Sequence, residues 1–135
     1  MDIANTPFFG LLRARLEQLS DRQRLIAENV ANASTPRYTP RDLDTSGFQR
    51  MLEQAAGGGG LAMRQTNPRH MTSGGSATVS VVERPDSETT MDGNQVVLEE
   101  QMMRAADTRM NFETGIALYQ KGLQLVRIAA RPPGK

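Results

Sequence analysis

The sequence predicts a mainly α chain. Long N- and C-terminal helices pair as an α-helical coiled coil, and a loop-rich middle segment carries a short helix and a short β-strand or hairpin. Three observations carry this expectation. Apolar residues step alternately by three and four from Phe9 to Ala33, and again between Asn94 and Ala130. Between the two runs, Pro36, Pro40, Pro68 and Pro85, the run Gly57 to Gly60 and the pair Gly74 and Gly75 break every long periodicity. The expected division is 1–33, 34–93 and 94–131, all within one structural domain.

In the N-terminal helix, Phe9, Leu12, Leu16, Leu19, Gln23, Ile26, Val30 and Ala33 form the seam, and Arg13, Arg15, Glu17, Asp21, Arg22 and Glu28 lie mostly off it. Asn5 or Thr6 is placed to cap it, with Pro7 at the first helical position, where a missing amide hydrogen costs nothing. In the middle segment, Phe48, Met51, Leu52 and Ala55 recur at helical spacing, which predicts a short helix over 46–56 ending at the glycine run. Ala77, Val79 and Val81 alternate with Thr78 and Ser80, the pattern of one half-buried strand. Such a strand needs a neighbour, either Leu61 to Gln65 or a strand of another molecule.

The C-terminal helix reads Leu98, Met102, Ala105, Arg109, Phe112, Ile116, Tyr119, Leu123, Val126 and Ala130 along its seam, with Arg109 the polar exception. Asp92 or Asn94 is placed to cap it. Acids gather at its start (Glu99, Glu100) and bases at its end (Lys121, Arg127, Arg131), as the helix dipole favours. Pro132 and Pro133 stop it. A seam this long and narrow does not stabilise a lone helix, so it has to lie against a partner. Met103, Met110, Leu118 and Leu125 are apolar but off the seam, giving the helix a second sticky face. A monomeric hairpin needs one such face; a subunit inside an assembly needs two.

Composition narrows the function classes. At 135 residues the chain fits one domain, and a hydrophobic share of 38% argues for an extended shape over a large closed core. The formal net charge of +1 gives no field to draw nucleic acid or an anionic membrane, so neither is an expected partner. The absence of cysteine excludes disulfides, thiolate metal sites and a cysteine nucleophile. Met1 to Leu12 has neither a basic start nor a long apolar run, so no cleaved signal peptide and no membrane-spanning helix is expected there. The single histidine, His70, has no second histidine or tight carboxylate cluster beside it, which speaks against both a metal site and a general base. Gly57 to Gly60 lacks the Lys and Ser/Thr that complete a phosphate loop and reads as a linker. The acid pairs Glu99/Glu100 and Asp107/Glu113 lie on solvated flanks, and Glu100 with Arg104 is a favourable i, i+4 pair. No catalytic residue, cofactor, metal or small-molecule substrate is expected.

The stretch directly after the first helix is Asn29-Val30-Ala31-Asn32-Ala33-Ser34-Thr35-Pro36-Arg37-Tyr38. It resembles the signature of bacterial flagellar rod, hook and hook-associated proteins, in which Asn29, Asn32, Thr35, Pro36 and Tyr38 match the family pattern and Arg37 stands where glycine is usual. Thr39-Pro40-Arg41-Asp42, the Thr66 to His70 stretch and Met91-Asp92-Gly93-Asn94-Gln95-Val96 look like the proximal rod subunits of that family. Physically, Asn32 can end the helix, Pro36 prevents it from continuing, and the Tyr38 ring can anchor the departing chain. An arginine at position 37 argues against a positive φ at that turn, since any residue but glycine is strained there.

The resemblance implies a structural subunit of the flagellar basal body, in the rod that crosses the periplasmic space and transmits torque from the membrane rotor to the hook. Its implied partners are copies of itself, other rod proteins, and the base of the rod at the membrane ring and export gate. Its implied route is the flagellar type III export apparatus, without a cleaved signal. The residues expected to carry assembly are Leu12, Leu16, Leu19, Ile26 and Val30 on one helix and Phe112, Ile116, Tyr119, Leu123 and Val126 on the other. The alternative is a soluble helical adaptor or export-chaperone-like module that binds one partner helix.

Overall fold

In the computed structural model, residues 7–56 and 80–130 are described. Two long helices run antiparallel: α1 (Pro7–Ala31) and α3 (Leu98–Ala129), about 37 and 48 Å long. Between them lie β1 (Arg41–Leu43), α2 (Ser46–Ala56) and β2 (Val81–Glu83). The short helix spans the range its apolar spacing predicts. The Gly57 to Gly60 linker, His70, the strand residues Ala77 to Val79, the Leu61 to Gln65 alternative, the Asn5 and Thr6 caps and the proline stop all lie outside the described residues.

α1 is the central element. One side faces α3 and another carries β1 and the start of α2, so the middle segment folds back along the helix. Arg41 pairs with Glu28 at 3.0 Å, Asp42 receives two hydrogen bonds from Arg22 at 2.9 and 2.8 Å, and the Arg15 guanidinium lies 5.0 Å from the centre of the Phe48 ring. β1 and β2 pair antiparallel with Asp42 opposite Val82. β2 shares only Val81 with the predicted strand and is exposed along its length instead of half-buried, because β1 pairs with its edge and no element covers its faces among the described residues. Among the described residues, the buried apolar side chains are Phe9, Leu19, Leu25, Ile26, Leu43 and Val96. The terminal helices do not supply the core alone: Leu43, Val96 and buried Pro40 come from the middle segment.

α3 begins four residues later than its sequence suggests, at Leu98, with Val97 extended (φ −103°, ψ 111°) and no side-chain cap. Neither expected cap serves the helix: Asn94 Oδ1 accepts from the Val96 amide at 2.8 Å, ahead of the first turn, while its Nδ2 donates to the Asn32 and Thr35 carbonyl oxygens at 2.9 and 2.7 Å, and Asp92 Oδ1 accepts from the Asn94 amide at 3.3 Å. Asp86 serves the helix start instead, its Oδ2 accepting from the Val97 backbone amide at 2.9 Å and from the Gln101 side-chain Nε2 at 2.8 Å. A carboxylate at a helix N-terminus suits the dipole.

Asp42 ties β1 to α1. Burial pushes its carboxyl up, but the hydrogen bonds from Arg22 and from the Leu43 amide, with the charges of Arg22 and Arg104, outweigh that and hold it below the ordinary carboxylate range. A carboxyl whose folded pKa is depressed contributes stability above its unfolded value near 3.8, and that contribution is lost as pH falls through the lower folded value. Asp42→Asn is expected to cost about 2 kcal/mol at pH 7, less than a fully buried pair because Arg22 is partly exposed. It should also flatten the loss of stability below pH 4. Urea denaturation of both proteins from pH 7 to pH 3 measures the two effects together.

Candidate assembly interface

The interface between α1 and α3 is built from one polar clasp and a line of close helix contacts. The clasp centres on Asn29, which is 1% exposed. Its Nδ2 donates to the Arg41 carbonyl oxygen at 2.8 Å and to Gln101 Oε1 at 3.1 Å. Its Oδ1 accepts from the Arg41 amide at 2.9 Å and the Tyr38 hydroxyl at 3.2 Å. All of the side chain's hydrogen-bonding capacity is used. Gln101, fully buried, passes the chain on to Asp86, whose other oxygen lies 2.7 Å from Arg104. The clasp therefore joins α1, the turn after it, the segment before α3 and α3 itself.

The turn is built from the matched motif. Asn32 ends α1, its Nδ2 donating to the Glu28 carbonyl oxygen at 2.8 Å and its Oδ1 accepting from the Thr35 hydroxyl at 3.1 Å. Pro36 and Arg37 make the reversal, closed by the Tyr38 amide on the Thr35 carbonyl oxygen. Arg37 has φ +57°, so the left-handed conformation is kept without glycine, contrary to what an arginine there suggests. Two interactions hold it: its amide donates to the Asp92 carbonyl oxygen at 3.1 Å, and its side-chain stem lies over Gly93, itself at φ +81°.

Along the helices, α3 turns a different line of residues toward α1 than the apolar seam suggests. Ala105, Phe112, Tyr119 and Val126 are half-buried, as the seam requires. The alternate positions are Gln101, Thr108, Gly115 and Gly122, one residue before Met102, Arg109, Ile116 and Leu123. A Cβ on Gly115 would lie 2.9 Å from Leu16 Cδ2, and one on Gly122 would lie 3.1 Å from the Phe9 ring. These glycines let α1 approach the helix backbone. Phe9 also meets Tyr119 edge-on at 5.3 Å.

Of the residues expected to carry assembly, Leu19 and Ile26 are buried, and Leu12, Leu16, Val30, Phe112, Tyr119 and Val126 are half-buried. Ile116 and Leu123 are exposed, and so is Met102, which the seam places inside. The reason is steric: the helices are too close at Gly115 and Gly122 for large side chains to fill those positions. Met103, Met110, Leu118 and Leu125 are exposed as their off-seam positions predict. α3 is therefore apolar beside α1, on one flank (Met102, Ile116, Leu123) and around its back (Met103, Met110, Leu118, Leu125, Ile128). The clasp partners Gln101, Asp86 and Arg104 and the Arg22–Asp42 pair are missed by sequence reasoning. The only signal for Gln101 is its heptad spacing from Thr108, Gly115 and Gly122. Among the described residues, no three His, Asp or Glu side chains are grouped to hold a metal ion.

No family model matches the chain. Flagellar basal body rod protein FlgB of Cereibacter sphaeroides is 36% identical over 101 residues, covering 74% of this chain and 75% of that protein. The protein of the same name from Agrobacterium fabrum is 32% identical over 116 residues, covering 83% and 84%. That from Salmonella typhimurium is 29% identical over 120 residues, covering 84% and 87%.

Proposed function

Since the chain belongs to the flagellar basal body rod protein FlgB family, a structural and non-enzymatic one, we propose that it is a subunit of the proximal rod and helps carry torque from the membrane rotor to the hook. The observation that supports this reading is the outer surface of α3. A helix that is apolar against its partner, on a flank and around its back is suited to being surrounded. Its neighbours would be copies of itself and other rod proteins, packed through open heterologous contacts of the kind that build tubes and filaments. The base of the stack would meet the membrane ring and export gate, the subunits would lie in the periplasm, and the flagellar type III apparatus would deliver them without a cleaved signal. An adaptor gripping one helix would cover one stripe of α3 and leave the rest exposed.

Deleting the gene tests the role: basal bodies that stop at the membrane ring, without rod or hook, support it, and normal rods in swimming cells overturn it. Changing the surface tests the mechanism. Leu118 and Leu125 are 49% and 59% exposed, so Leu118→Asp with Leu125→Asp should leave the thermal midpoint of the isolated chain nearly unchanged. The same double variant should fail to restore swimming to the deletion strain, and Ile116→Asp should fail likewise. A double variant that builds rods at the wild-type level would remove α3's outer face from the assembly.

A further inference from the structure

We propose that Arg37 is an assembly contact, its guanidinium binding a carboxylate of a neighbouring subunit; this rests on the rod-subunit reading above. The backbone gives the first observation. Arg37 sits on an exposed turn at φ +57°, a conformation that disfavours any residue with a Cβ and that glycine would adopt without strain. Strain retained at an exposed position points to a use for the side chain.

The second observation is what the side chain lacks. Arg22, Arg24, Arg41, Arg84, Arg104 and Arg109 each meet a carboxylate within 4 Å, whereas the guanidinium of Arg37, like that of Arg127 on the regular face of α3, makes no hydrogen bond or ion pair among the described residues; only Arg37 combines this with a left-handed backbone. Its stem covers Gly93, a role that any unbranched side chain fills. The planar fork at its end is therefore free, and its geometry fits a carboxylate with two parallel hydrogen bonds. The chain offers complementary groups: Glu17, Glu99 and Asp107 are exposed and form no ion pair among the described residues. In a stack of copies, such a carboxylate on one subunit is an available partner for Arg37 on the next.

Three variants, expressed in the deletion strain and purified, separate this role from packing. Arg37→Gly should raise the thermal midpoint by about 3 °C while lowering the number of completed rods at least tenfold. Arg37→Gln keeps the stem and the strained turn, so its midpoint should stay at the wild-type value while rod number falls as far. Arg37→Lys, which keeps the charge without the fork, should fall between. Wild-type rod numbers with either Arg37→Gly or Arg37→Gln overturn the proposal. If those variants build rods while the Leu118→Asp, Leu125→Asp double variant does not, the contact at Arg37 is lost and the rod-subunit reading stands.

Discussion

Asn29→Ala is expected to lower the stability of the folded chain by about 4 kcal/mol, the larger of the two main effects foreseen here. The substitution removes four hydrogen bonds and leaves the buried Gln101 Oε1 and the partly buried Arg41 amide, Arg41 carbonyl and Tyr38 hydroxyl short of partners. Each orphaned group costs about 1–3 kcal/mol where water cannot reach it, and relaxation and partial hydration recover some of the sum. Asn29→Asp should not rescue it, because a carboxylate would face the Arg41 carbonyl and Gln101 Oε1 with no hydrogen to offer. Urea denaturation followed by circular dichroism measures the loss. A double-mutant cycle with Gln101→Ala should give a coupling energy of about 1 kcal/mol or more.

Gly115→Leu is the second. Helix propensity alone favours the change by about 1 kcal/mol, since glycine is a poor residue in a helix interior. In the fold, even the Cβ falls 2.9 Å from Leu16 Cδ2 and 3.6 Å from its Cγ, so Leu16 has to turn away from α3 and the rest of a leucine presses on α1. The expected result is a net loss of about 3 kcal/mol. The two environments therefore predict opposite signs: the substitution should raise the helicity of an isolated α3 peptide and lower the melting temperature of the whole chain. An unchanged melting temperature would mean that α1 does not approach α3 at Gly115.

The period of the two helices, the short helix over 46–56 and the turn at Asn32 and Pro36 are legible in the sequence because each rests on local chemistry. The facing of α3 is not. Apolar periodicity identifies residues that leave water, but it does not distinguish a side chain covered by its own chain from one exposed on a helix flank. Ile116 and Leu123 satisfy the period as well as Phe112 and Tyr119 do. The distinction lies in Gly115 and Gly122, whose small size is what brings α1 close. The clasp is hidden for a related reason: Gln101 and Asp86 are ordinary surface residue types, and only the long-range fold brings them to Asn29. The start of α3 is displaced because Asn94, a good cap by type, spends its Oδ1 on the Val96 amide and its Nδ2 on the carbonyls of Asn32 and Thr35.

The polar clasp at Asn29 also decides how the helix pair resists force. Two apolar helix faces can slide along each other and recover contact a turn later, because dispersion is weak and undirected. Hydrogen bonds fixed in direction have no such second position. A shift of about 5.4 Å, one turn, would separate Asn29 from Gln101 without offering either a new partner. It would also push Leu16 off Gly115 and Phe9 off Gly122, toward side chains too large to receive them. The pair is thus keyed against axial shear at one end and along its length, and a load applied down the helices is met by stiffness instead of slip.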